Sequence, residues 1–169
     1  MKLAFPWKKD KLQFPLVRID DRLLHGQVIV GWGSQLSLTK FVLASDRVKS
    51  DAAYASALTS IVPPEFGVTV ETLTNVAAAW NAKEYNDGRI MIVLESTGDA
   101  LKLVKSGAPL KRLVLGGIHF REGKEEFLPY IFLSRWDRIA LTELLNLGVR
   151  IACQDLPATK PIPYTGEAS

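Results

Sequence analysis

Short apolar runs recur along this chain, and most are separated by stretches with helical spacing. PLVRI (15–19) reads as a buried strand, and GQVIVGWGSQL (26–36) as a helix in which Gly31 and Gly33 are weakening residues. KFVLA (40–44) predicts a second strand, and SDAAYASALTSIV (50–62) a helix closed by Pro63-Pro64. GVTVET (67–72) alternates like a strand, NVAAAWNAKEYN (75–86) is helical, and RIMIVLE (89–95) is a strongly apolar central strand. A short helix over 98–107 precedes a strand over 110–117 that runs into a glycine pair. YIFL (130–133) suggests a short strand. SRWDRIALTELLNLG (134–148) is the clearest helix: Ser134 with Asp137 resembles a capping box, and Trp136, Ala140, Leu144 and Leu147 are expected on its buried face. VRIACQD (149–155) closes as a strand.

Strand–helix alternation with apolar strands predicts an α/β fold: an open, doubly wound, mainly parallel sheet of about six or seven strands with helices on both faces. The ends differ from the middle. Residues 1–13 form an N-terminal extension carrying Lys8, Lys9 and Lys11, residues 14–157 one domain, and the proline-rich residues 158–169 a flexible C-terminal tail.

In such folds ligands bind beyond the carboxyl ends of the strands. RIDDRLLHGQV (18–28) lies there, after the first strand, and packs Arg18, Asp20, Asp21, Arg22 and His25 into a few residues. Histidine is a nucleophile or acid/base near neutral pH. Arginine forks match phosphate oxygens. Gly26 and Gln27 stand where a helix begins, so bare backbone and first-turn N–H groups can face an anion. Asp20 and Asp21 can orient the arginines or hold one imidazole nitrogen. The alternative is a solvated, charged loop with an N-capping aspartate. Trp32, Asp46, Gly116, Gly117 and His119 are candidates for the rim of the same mouth, with Trp32 also reading as a packing residue. Cys153 reads as a small buried apolar group.

Composition narrows the function. Of 169 residues, 47% are hydrophobic and 23% charged, with a net charge of +3. This suits a globular protein with an acidic partner or anionic ligand and does not call for nucleic acid. One cysteine allows no intramolecular disulfide, and the start lacks an apolar signal core, so a cytoplasmic setting is expected. No apolar run is long enough to be membrane-embedded. Isolated histidines give no zinc spacing, and no glycine-rich nucleotide loop is visible, so neither metal nor cofactor is expected.

RIDDRLLHGQV closely resembles the signature of the IIB components of the mannose/fructose/sorbose class of the bacterial sugar phosphotransferase system. VLASDRVKSD (42–51), Pro63-Pro64, YNDGRIMIVLESTGDALKLVKSG (85–107) and VLGGIHFREGKEEF (114–127) are similar to further family segments, in order, over about 14–157. The resemblance implies a protein-Nπ-phosphohistidine–sugar phosphotransferase with no cofactor. His25 would take a phosphoryl group on Nδ1 from a phosphohistidine of a IIA component acting in trans, and pass it to a sugar bound by membrane IIC/IID components. Arg22 and Arg18 match the arginines of the family's site, with Arg22 on the phosphoryl group, and Asp20 and Asp21 match its acidic pair. The protein would be cytoplasmic or peripheral at the inner membrane. A regulatory phosphohistidine module, or an anion-binding module without chemistry, fits the same loop.

Overall fold

The computed structural model describes residues 14–166. Its strands in chain order are β1 (Leu16–Asp20), β2 (Lys40–Ala44), β3 (Gly67–Glu71), β4 (Ile90–Leu94), β5 (Arg112–Gly117), β6 (Glu125–Leu128), β7 (Ile131–Leu133), β8 (Arg150–Cys153) and β9 (Ile162–Tyr164). Among the described residues, seven of them form one sheet in the order β3-β2-β4-β1-β5-β8-β9, and β6 and β7 form a separate hairpin. Within the large sheet only the β8–β9 pairing is antiparallel. A π-wound helix spans Gln27–Ser34, followed by α1 (Asp46–Ser50), α2 (Ala52–Ser60), α3 (Leu73–Asn81), α4 (Thr97–Lys105) and α5 (Arg135–Asn146).

Each central strand is apolar because both its faces are covered. Val17, Ile19, Ile92, Leu94, Leu113 and Leu115 meet the buried residues of α3, α4 and α5. The alternate positions Leu16, Phe41, Leu43, Met91, Val93 and Val114 meet Val28, Ile29 and Trp32 of the π-wound helix, together with Val48 of α1. The expected doubly wound α/β sheet is therefore present. The helix following β1 and the helix following β4 lie on opposite faces, although β1 and β4 are neighbours. Their strand-to-helix loops diverge at the carboxyl edge, which is where this architecture opens a crevice.

Several local expectations are corrected. The helix expected over 50–62 is present as α2, started by Asp51, which is extended and whose side chain accepts from the Tyr54 N–H; the separate short helix α1 just before it lies outside that expectation. In the first helix, Gly31 and Gly33 permit close approach: a Cβ at either would come within 2.9 Å of Leu156 or Phe41. The buried face of α5 is Asp137, Ala140, Leu141 and Leu144, while Trp136 is 76% and Leu147 49% exposed. The helix is turned inward by Asp137, whose carboxylate accepts from Thr97 Oγ1 at 2.7 Å and from Ser134 N–H at 2.9 Å and pairs with Lys124. The short strand near 130–133 acquires a partner, β6. Within the segment expected to be a flexible tail, Ile162–Tyr164 instead closes the sheet edge and Tyr164 is buried. The lysine cluster at 8–11 lies outside the described residues. No helix among them is long and apolar enough to cross a membrane.

Candidate functional site

The site is built from β1 outward. Arg18 shares the sheet face of Leu16, so its side chain runs under the π-wound helix and is 1% exposed. Its Nη1 donates to the Gln154 carbonyl at 2.8 Å, and its Nη2 to the Asp155 carbonyl and Asp20 Oδ2, both at 3.2 Å. The guanidinium also sits 4.9 Å from the centre of the Trp32 ring, whose Nε1–H is fixed to the Asp155 carbonyl at 2.8 Å. β5 makes the room. The β1–β5 register shifts between Ile19 and Asp20, leaving Gly116 opposite no partner, and a Cβ there would stand 1.9 Å from Arg18 Cζ. Burial pulls the Arg18 pKa below its ordinary value and Asp20 opposes that shift.

Asp20 ends the strand and is 1% exposed. The chain then turns tightly: Leu23 N–H donates to the Asp20 carbonyl at 2.9 Å, with Leu23 in the left-handed region at φ 59°. That conformation costs a non-glycine residue on the order of 1–3 kcal/mol. Full burial of the leucine offsets it by about 1.5–3 kcal/mol. The turn brings His25 back over Asp20, with Nε2 3.0 Å from Oδ2. The approach is oblique to the N–H direction, so the carboxylate orients the ring chiefly through charge. A nitrogen lone pair at that distance would repel the carboxylate. The carboxylate therefore favours the tautomer with its hydrogen on Nε2, which keeps the lone pair on Nδ1. Burial alone would raise the Asp20 pKa. The His25 contact, the Arg18 charge and the Arg22 N–H prevail and hold it below the ordinary carboxylate value.

Arg22 donates its backbone N–H to Asp20 Oδ1 at 3.2 Å, while its guanidinium, about half exposed, reaches Gln27 Oε1 at 3.5 Å. This is a loosely tethered cation beside the imidazole. The helix after His25 has no side-chain cap, and nothing lies within 4 Å of where a Cβ on Gly26 would be. By contrast, α1 to α5 each start from a serine, threonine or aspartate cap. The uncapped start with open space above it suits an incoming anion.

The remaining candidates divide. Asp21 and His119 bind each other at the edge of the mouth. Gly117 lies against Asp20, where a Cβ would come 3.3 Å from Oδ2. Trp32 is not at the rim: it is fully buried and forms the bed under Arg18. Arg18 itself is beneath the site rather than open to a ligand. Asp46 is occupied by the Leu73 N–H and Lys102, so it ties α1 to α3 and α4 instead of joining His25. Burial pushes the Cys153 thiol up to about 12, in keeping with an apolar role. The sequence reading missed the Gln154 and Asp155 carbonyls, because backbone acceptors more than 130 residues away leave no mark on the sequence.

Comparison with known proteins adds a second line. The model of the family described as PTS system sorbose subfamily IIB component matches residues 14–165. The chain belongs to that family. It is 30% identical over 148 residues to the sorbose-specific EIIB component of Lacticaseibacillus casei, covering 88% of each chain. It is 28% identical over 142 residues to the mannose-specific EIIAB component of Escherichia coli K12, covering 84% of this chain and 44% of that one. The crystal structure of the IIB domain of the sorbose permease from Klebsiella pneumoniae superposes with a TM-score of 0.80 at 28% identity, covering 89% of this chain and 93% of that one. This chain is thus a sorbose-type IIB component of the phosphotransferase system.

Proposed function

We propose that His25 is a transient phosphoryl carrier. It takes the group on Nδ1 from a phosphohistidine of a IIA partner acting in trans and gives it to a sugar bound by membrane IIC/IID components. The observation that carries this reading is the 3.0 Å contact between His25 Nε2 and Asp20, which engages that nitrogen and leaves Nδ1 as the one turned from the carboxylate. In the step, Nδ1 forms the new N–P bond while the bond from phosphorus to the donor's ring nitrogen breaks, and that nitrogen leaves with the electron pair. Phosphoryl transfer asks a protein mainly for in-line positioning and charge neutralisation. Arg22 supplies a permanent positive charge at the mouth and the uncapped helix start supplies N–H donors. Arg18 acts one layer down, as a positioning residue that holds Asp20. The EIIAB name of the Escherichia coli relative supports a IIA donor, since it joins an A and a B component.

The test supplies phosphorylated IIA to the purified chain, then membranes bearing IIC/IID and candidate sugars. Phosphate is expected on His25 and is expected to pass to one sugar. A chain that takes no phosphate on His25 contradicts the proposal, and one that is loaded but never discharged to sugar leaves only a regulatory carrier.

A further inference from the structure

A second histidine stands in the mirror arrangement. Asp21, next in sequence to the carboxylate behind His25, grips His119 twice: Oδ2 accepts its backbone N–H at 2.8 Å, and Oδ1 lies 2.6 Å from its Nδ1. Asp21 is itself anchored, its N–H donating to the Gly117 carbonyl at 2.9 Å. An ionised carboxylate only accepts hydrogen bonds, so the neutral ring carries its hydrogen on Nδ1 and presents the Nε2 lone pair. The Asp21 side chain is only 10% exposed and the His119 side chain 52%. The orienting charge is sheltered while the ring remains open. Arg121, two residues on and exposed, lines the cleft that Asp21 also lines. A lone surface histidine shares its hydrogen between both nitrogens. Here one nitrogen is selected and backed by a carboxylate, which is how histidine nucleophiles are prepared.

We propose that His119 is a second phosphoryl acceptor, taking the group on Nε2 from N-phosphorylated donors. The inference rests on the His25 reading only in invoking the same class of donor. The Nε2 lone pair forms the N–P bond as the bond from phosphorus to the donor nitrogen breaks. With phosphoramidate the leaving group is ammonia, which departs from its protonated form with the P–N electron pair. The ring retains its Nδ1 hydrogen, and the negative charge of Asp21 faces the cationic product. The chain then carries two phosphohistidine isomers, on Nδ1 at His25 and on Nε2 at His119.

Phosphoramidate is the probe, because it needs no partner protein. It is given to the full chain, to H25A, H119A and D21N, and to the wild-type chain unfolded in urea, with each adduct assigned to its ring nitrogen by 31P and 15N NMR. The expected result is an Nε2 adduct on His119 that persists in H25A and disappears in H119A. It should form at least about tenfold faster in the folded chain than in the unfolded one, with D21N falling to the unfolded rate. No adduct at His119, an adduct on its Nδ1, or equal rates in folded H25A and unfolded chain would overturn the inference. The last comparison needs no substitution at Asp21. Failure of the His25 reading is distinct: it appears as a wild-type chain without an Nδ1 adduct on His25, whatever His119 does.

Discussion

Replacing Gly116 by alanine presses directly on the buried arginine that supports the site. The new Cβ would fall 1.9 Å from Arg18 Cζ and 2.3 Å from each terminal nitrogen. Carbon contacts settle near 3.5 Å, so the guanidinium or the β5 backbone must retreat by about 1.5 Å. A retreat of that size strains or breaks the bonds to Gln154, Asp155 and Asp20 and opens the stack on Trp32. Overpacking alone costs roughly 1–3 kcal/mol. Separating a buried ion pair costs roughly 3–5 kcal/mol. G116A is therefore expected to lose about 3 kcal/mol or more in urea unfolding. R18M removes the head group the alanine would strike, so G116A should cost about 1 kcal/mol or less in that background, a coupling of about 2 kcal/mol. A G116A protein within about 0.5 kcal/mol of wild type, or an equal cost in both backgrounds, refutes the packing argument.

D20N keeps the shape of the side chain but leaves Arg18 buried without its counter-charge and His25 without its orienting carboxylate. It should cost about 3 kcal/mol in stability and lower the rate of His25 phosphorylation by roughly 10–100-fold. The pH dependence has a definite sign. Because the folded pKa of Asp20 is held below 3.8, its stabilisation is complete above that value and is lost as pH falls through the lower folded value. D20N should flatten this acid limb of the stability profile. R22Q should leave urea stability within about 0.5 kcal/mol, since the side chain is half exposed, yet slow phosphorylation by about 100-fold, with R22K between the two. On α5, L144A should cost about 2–5 kcal/mol and W136A under about 0.5 kcal/mol. The reverse order would contradict the burial of Leu144 and the exposure of Trp136 on this helix.

The sheet was legible chiefly because its central strands β2, β4 and β5 are buried on both faces and so read as apolar runs. The site loop was legible for the complementary reason: Asp20, Asp21, Arg22 and His25 interrupt that pattern at a carboxyl strand end. What stayed hidden depends on contacts between distant segments. Arg18 reads like any other charge near the mouth, and its burial follows from Gly116, Trp32 and two backbone carbonyls far along the chain. The face of α5 is set by Asp137 satisfying Thr97, Ser134 and Lys124, so a charged residue points inward and an exposed tryptophan outward. The last strand is short and holds Pro163, which resembles a tail until β8 supplies its partner. Asp21 and His119 are 98 residues apart, and neither position alone announces the other.

The most direct test of the central claim is long-range 1H–15N NMR of the His25 imidazole, recorded before and after phosphoryl transfer from the donor. The account requires the Nε2–H tautomer in the resting protein, held toward Asp20, and phosphorus bonded to Nδ1 afterwards. A resting ring protonated on Nδ1 instead, or a phosphoryl group found on Nε2 of His25, would contradict it.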